Sequence, residues 1–514
     1  MIPNSLTQVW EDYERGMREK HRLGLFETAR RNERFYRGDQ WQSADDSLPH
    51  PVFNLVRRVT DYLVTTVMPG DVSIRFCDQA LPFAQSEATR KALQKSLSLL
   101  EKNAALRWRN QRMEEVCTRA LLDAALTGDG VFYCRWDPDA RDGQAYHGDV
   151  RTEPIDAVNL FVADYSHSDL QAQEWVMLSG RQSVSSLRRE ALDAGADDAI
   201  LAKILPDSAY ETSRGAPTAD PDNDHATTLV RFHREGGEVI CEKFTRGARI
   251  KCVQTGLSRY PIAYFHWYGR KHSAFGNAPV SDMIANQRYV NSAYALAMKH
   301  MGDTAFSKVV YDKSRIPEWS NAVGEAIGVL GGGNVSDAVS VLGVGKMQDG
   351  YLDLITHTIE NTKSMMGATE SALGDERANN TSAILALQEA SKVTLKQVRA
   401  RLCRCIAELA EIWADMLCSY CPAERMLAYW DDKGEPTADT PDYALLRRAI
   451  LTATAEVGEI NRYTPSATVA VLDKLLDAGH IGVETYLKLL PEGTLANRET
   501  VLQTLQKERR VENE

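Results

Sequence analysis

The chain has 514 residues, 43% of them hydrophobic, 25% charged and 8% aromatic, which suffices for several buried cores and excludes a disordered polymer. Its 71 acidic residues outnumber 60 basic ones and leave a net charge of −11, which argues against gripping nucleic acid by its backbone, a mode that runs on clustered surplus Lys and Arg. No apolar run reaches the ~18 residues of a membrane helix and the first residues lack a signal-peptide core, so a soluble chain made inside a cell, with no membrane partner, is expected.

Residues 5–37 read as one long helix with charges of both signs, stopped at Gly38. A helix carrying Phe53, Leu55, Val56, Val59, Tyr62 and Leu63 follows Pro51, and two more are predicted at 84–103 and 107–127. In the last of these, Met113, Val116, Cys117, Ala120, Leu121 and Ala124 recur at 3 and 4 spacing. The period then changes. After the turn Gly128-Asp129-Gly130, the run Val131–Trp136 is β-branched and aromatic, as strands are. Further strands are predicted at 159–163, 175–179, 228–233, 238–244, 251–254 and 262–267, with a helical insert at 184–205 and an exposed loop at 206–224.

Ala274–Pro279 opens a helix that runs to about 301, with Asn277 expected as its N-cap and Pro279 in its first turn. Small residues such as Ala293, Ala295 and Ala297 would admit close neighbours, whereas Asn286, Gln287, Arg288 and Asn291 are unusually polar for a core helix. A short β-α-β follows: strand 307–311, helix around 319–330, strand 338–342, too small to stand without neighbours. A helix at 348–366 leads to a polar, glycine-containing loop at 367–381. The longest predicted helix, 382–419, carries an apolar stripe through Ile384, Leu387, Leu395, Val398, Leu402, Ile406, Leu409, Trp413 and Met416. An acidic loop at 431–442 precedes short helices at 442–457, 466–478, 482–489 and 497–509.

Catalytic signatures are wanting. Gly331-Gly332-Gly333-Asn334 begins like a phosphate loop but lacks its lysine, and Gly345-Lys346 is flanked by Ser340 and Met347 where the Walker pattern needs Gly and Ser or Thr. There is no Gly-x-Ser-x-Gly and no kinase signature. Nine cysteines, an odd number, suit reduced thiols better than a disulfide framework. Cys403, Cys405, Cys418 and Cys421 are the one cluster that would suit zinc. Lying largely on one helix, however, the two pairs would stand about 20 Å apart, which favours buried apolar thiols. The eleven histidines, His300 and His357 among them, show no ligand spacing. No cofactor is expected.

The order of parts resembles the portal proteins of tailed bacteriophages. Four segments carry the resemblance: Arg31–Trp41 with Asn54-Leu55-Val56, Ala274–Val280 with Gln287 and Asn291, Gly374–Ala383, and Val471–Pro491. It implies an α+β, predominantly helical fold divided into a wing (1–276), a stem helix (277–303), a β-α-β clip (304–346), a second stem helix (347–366), a tunnel loop (367–381), a long helix spanning the wing with its return (382–441) and a helical crown (442–514). It further implies a homo-oligomeric ring of about twelve subunits at one capsid vertex of the virion, assembled in the host bacterial cytoplasm. Double-stranded DNA would pass through it, with the terminase large subunit, a head-tail adaptor, and major capsid and scaffold proteins as partners. The role would be structural and non-catalytic. The competing readings are a metal-binding enzyme built on the cysteine cluster and a DNA-binding protein.

A conduit must let a polyanion slide. Twelve copies at −11 would carry about −130 charges, a repulsive field that suits low friction. By the resemblance, the channel-facing loop presents Glu370, Asp375, Glu376, Arg377, Asn379, Asn380 and Thr381; without it, the same residues read equally well as a surface turn capping the next helix. On the stem, Arg288 and Lys299 either form a modest positive ring or pair with acidic residues of an adjacent copy. In the clip, Lys313, Arg315, Glu318 and Trp319 are the candidates for docking, Trp319 being as well suited to a core.

Overall fold

The computed structural model describes residues 6–41, 47–68, 70, 72–79, 86–141, 144, 147–207, 224–305, 308–320, 322, 326–342, 350–369, 393–431, 435–457 and 465–490. The fold is mixed α+β and divides into two compact units: residues 1–68 with 76–454, and residues 69–75 with 455–514.

The first unit opens with two helices where the sequence predicts one. Helix α1 (Leu6–Arg22) and α2 (Leu25–Arg37) are separated at Gly24, whose φ of 69° lies in the left-handed region that glycine adopts cheaply. Helix α3 (Leu55–Val67) begins at Asn54, whose side chain accepts the Arg57 amide proton at 3.0 Å. Strand β1 (Val72–Asp78) precedes α4 (Glu87–Asn110) and α5 (Met113–Thr127). The α5 residues picked out by their spacing are all buried.

Two antiparallel sheets follow. One has the order β3-β2-β9, from β2 (Asp129–Asp137), β3 (Asp149–Ile155) and β9 (Ile262–His266). Strand β3 is not predicted from the sequence, because Pro154 and alternating charges break its signature. As an edge strand it can place Pro154 opposite Phe132. The other sheet is a meander of β4 (Leu160–Val162), β5 (Trp175–Ser183), β6 (His225–Glu235), β7 (Glu238–Phe244) and β8 (Arg249–Gln254). Its core joins Val9, Trp10 and Tyr13 of α1 to Phe161, Trp175, Met177, Leu229 and Phe244. The insert between β5 and β6 is helical at α6 (Val184–Asp193) and α7 (Asp198–Leu201), packed through Val184, Leu187, Ala191 and Ile204.

Helix α8 (Pro279–Thr304) has Pro279 in its first turn, as expected. Its N-cap is Ala278 rather than Asn277. The Asn277 backbone is instead engaged with Tyr268, each residue's amide donating to the other's carbonyl at 2.9 and 3.3 Å. Strands β10 (Lys308–Tyr311) and β11 (Val339–Leu342) form an antiparallel pair. The helix predicted around 319–330 is absent from the described residues there: 319, 320, 322 and 326–330 are irregular. Pro317 and the glycines at 324, 328 and 331–333 lower the helix propensity of this stretch and oppose a helix even though its apolar residues recur at helical spacing.

Helix α9 (Gly350–Met365) packs on α8 through Val290, Ala293 and Ile355. Of the long predicted helix, α10 (Lys396–Tyr420) is described, and it buries Val398, Leu402, Ile406, Leu409, Trp413 and Met416 as its stripe requires. Ile384 and Leu387 lie outside the described residues. Strands β12 (Leu427–Trp430) and β13 (Pro436–Asp439) form a further pair. The helix predicted at 442–457 is only α11 (Tyr443–Arg448), and the rest is strand β14 (Leu451–Val457), paired with β1. Its alternating threonines and valine accept the strand that pairing imposes. In the second unit, α12 (Pro465–Asp477) and α13 (Val483–Leu489) meet through Leu472, Leu487 and Leu490. The helix predicted at 497–509 lies outside the described residues.

Candidate functional site

Helix α8 is polar because it is hydrogen-bonded into the body. Gln287 is fully buried and Asn291 nearly so. Gln287 donates to the Phe53 carbonyl and to Asn291 Oδ1, each at 2.9 Å, while its own Oε1 accepts the Val56 amide proton at 3.1 Å. Asn291 Nδ2 then donates to Gln40 Oε1 at 2.7 Å, and Gln40 Nε2 to the Phe35 carbonyl and Asn54 Oδ1 at 2.9 and 3.1 Å. Residues from two of the four segments that stand out, Gln40 and Asn54 from the first and Gln287 and Asn291 from the second, thus converge on one satisfied network. Its role is to fix α8 against the loop before α3.

The start of α8 is clamped as tightly. Gly128 and Gly276 pass so close that a Cβ on Gly276 would lie 2.6 Å from His266 Cβ, 2.8 Å from the Tyr268 carbonyl oxygen and 2.9 Å from that of Gly128. Asp129, buried beside them, accepts the Gly276 amide proton at 2.8 Å and the Tyr264 hydroxyl proton at 2.6 Å. Burial pushes the Asp129 carboxyl up to about 7 against these two stabilising contacts. Nearby, fully buried Lys20 donates to the Val158 carbonyl at 2.5 Å and lies 3.8 Å from the centre of the Phe161 ring. Burial holds its ammonium well below the usual lysine range. This cluster ties α1, the α5–β2 turn and the entry to α8 together.

Helix α10 presents a polar edge to the sheets. Arg401 donates to the Trp267 carbonyl at 2.6 Å, and Trp413 Nε1 to Thr152 Oγ1 at 2.9 Å. Asp415 accepts the Ser258 amide and hydroxyl protons at 2.9 and 3.1 Å. Glu408 accepts from Gln171 at 3.0 Å, and burial raises its carboxyl to about 7. Cys403, Cys405 and Cys418 sit on this same helix with Cys421 just beyond it, and burial raises all four thiols. Among the described residues, no group of three or more His, Cys, Asp or Glu is placed to hold a metal ion.

The residues picked out for the stem and clip do not converge on one site. Arg288 is exposed, its guanidinium 5.3 Å from the Phe35 ring centre, and Lys299 is exposed further along α8. Lys313 and Glu318 are exposed, whereas half-buried Arg315 donates to the Asn334 carbonyl at 3.3 Å. Trp319 stacks on Tyr311 with ring centres 5.1 Å apart. Glu370, Asp375, Glu376, Arg377, Asn379, Asn380 and Thr381 lie outside the described residues.

Sequence reasoning passed over the outer surface of the α8–α9 pair. Asn286 bonds Thr362 at 2.9 Å and Tyr351 bonds the Ala293 carbonyl at 3.1 Å, closing the inner seam. Tyr289, Leu296, Met298 and Met301 of α8, and Leu352, Leu354 and Met365 of α9, are large apolar residues left exposed on the pair. The signal was present in the sequence, as apolar residues interleaved with the alanines, but a core helix explains such a pattern equally well.

Among the described residues, buried polar groups brace elements against one another, and large apolar side chains stay exposed on α8 and α9. Residues 221–461 match the family model for phage P22-like portal proteins, and the match supports a phage portal protein. That family is structural and generally non-enzymatic, and its members are oligomeric proteins of the phage capsid. No curated protein matches the chain. No helix among the described residues is long and apolar enough to cross a membrane.

Proposed function

We propose that the chain closes with about eleven copies of itself into a ring at one capsid vertex, through whose bore the terminase large subunit packages double-stranded DNA and from which that DNA later leaves toward the tail. In this reading α8 and α9 are the stem, the β10–β11 segment is the clip that docks the motor and then the head-tail adaptor through Lys313, Arg315, Glu318 and Trp319, and the body up to residue 276 is the wing. Residues 367–381 supply the channel-facing loop, and the chain beyond 442 the crown. Major capsid and scaffold proteins surround the ring in the virion.

The observation that carries the reading is the exposed apolar surface of α8 and α9, inside the region matched by the portal family model. Large apolar side chains left exposed on a helix pair suit contacts with another protein, and a ring would supply them from the next copy. The net charge of −11 suits a bore past which DNA must slide. The metal-enzyme reading has no donor set behind it among the described residues. Electron microscopy of the purified protein, alone and with scaffold and shell proteins, tests the proposal: rings with an open centre of duplex width are expected, and particles that stay monomeric under every condition would refute it.

A further inference from the structure

Oxygens of Asp129, Tyr264 and Ala274 meet where the entry to α8 crosses the α5–β2 turn. The Tyr264 hydroxyl stands 2.6 Å from Asp129 Oδ1 and is also hydrogen-bonded to the Ala274 carbonyl oxygen. Asp129 Oδ1 further accepts the Gly276 amide proton at 2.8 Å. A phenol carries one proton, and a carbonyl oxygen only accepts. With Asp129 ionised, the hydroxyl proton goes to one acceptor and the other faces a bare oxygen. With Asp129 protonated, the carboxyl donates to Tyr264 Oη, Tyr264 donates to Ala274, and the carboxyl oxygen still accepts from Gly276. Every contact in this chain is then satisfied, at a residue only 2% exposed, where an unmade bond carries its full desolvation cost.

The surroundings favour the same proton. Burial outweighs the hydrogen bonds and the Lys20 charge, and raises the carboxyl from 3.8 to about 7. Between those values the closed junction holds a proton that an opened one releases. Closure therefore loses stability as pH rises through that window and changes no further above it. The neighbouring bases act in the other direction. Lys20 on α1, itself facing Asp156, and His266 on β9, backed by Arg401 and Arg404 of α10, are both lowered by burial. A base lowered in the folded state favours closure as pH rises. Exposed Asp282, in the first turn of α8, is raised by burial and shares the Asp129 direction, so it has to be tested beside it.

We propose that Asp129 is a proton latch: its carboxyl proton, donated to Tyr264 while Tyr264 donates to Ala274, fastens the entry of α8 to the α5–β2 turn, and the junction opens more readily as acidity falls toward neutrality. Such a latch needs no second copy of the chain. Hydrogen–deuterium exchange of the full-length protein between pH 5 and 8.5 tests it, read on peptides spanning 273–279 and corrected for the intrinsic pH dependence of exchange. The protection of these amides should fall about tenfold or more between pH 5 and 7 and level off above. Asp129→Asn removes the titrating group at nearly constant shape and should flatten the profile, whereas Asp282→Asn should leave the fall intact. A level profile in the wild type overturns the proposal without recourse to any variant. So does a fall that persists in Asp129→Asn, a fall that Asp282→Asn abolishes, or an equal fall in the amides of β6 and β7, which would make the effect global.

Discussion

Asn291 shows how a polar residue on a long helix can be mistaken for one that faces solvent or a ligand. Its amide joins Gln40 to Gln287 inside the body, so Asn291→Ala strands the Gln40 carbonyl oxygen and removes one partner of Gln287. A cost of about 1–3 kcal/mol is expected, read as a lower unfolding midpoint, whereas Ser292→Ala, one residue on and exposed, should leave it nearly unchanged. Glu408 behaves in the opposite sense. Its folded carboxyl is raised from 4.5 to about 7, so between those values the folded chain holds a proton that the unfolded chain has released. Stability from this group therefore falls as pH rises through that window, and the penalty is complete above it. Glu408→Gln keeps an oxygen for Gln171 while removing the charge. It should raise the unfolding free energy at pH 8 by about 2 kcal/mol, read as a higher urea midpoint, and change little near pH 4. Equal effects at both pH values would mean that packing, not ionisation, governs the site.

At the scale of elements, what could be read from the sequence was whatever local periodicity controls. The α5 stripe, the stripe on α10 and most strands of the five-stranded meander follow from spacing alone. Elements decided by pairing elsewhere in the chain did not: β3 with Pro154 at a sheet edge, and β14 paired with β1. The Ala274–Asn277 segment falls between these cases. Its glycine stands out in the sequence, yet the reason is tertiary, because Gly276 meets Gly128 from the α5–β2 turn. Gly276→Ala forces a Cβ onto three rigid atoms, two of them backbone oxygens, and should sharply reduce the yield of folded protein. Gly302→Ala lies in α8 with open space around it and should instead stabilise by about 0.5–1 kcal/mol. Comparing the soluble fractions and thermal midpoints of the two variants separates a packing requirement from a general intolerance of change at glycine.

For the whole molecule, the exposed apolar residues of α8 and α9 were the feature hardest to read from the sequence. The α8–α9 surface is local, but in the sequence a helical run of apolar residues reads as core. Leu296 and Met301, at 54% and 55% exposure, are the residues whose change tests what covers this surface. In an isolated chain Leu296→Glu/Met301→Glu costs almost nothing, because neither side chain loses burial, and helix content by circular dichroism should stay the same. Between copies, the same change places two carboxylates per subunit in an apolar seam, where each unpaired charge costs several kcal/mol. The expected outcome is a folded chain that no longer assembles by mass photometry or light scattering. Rings of undiminished size from that variant would show that α8 meets its neighbours by another surface.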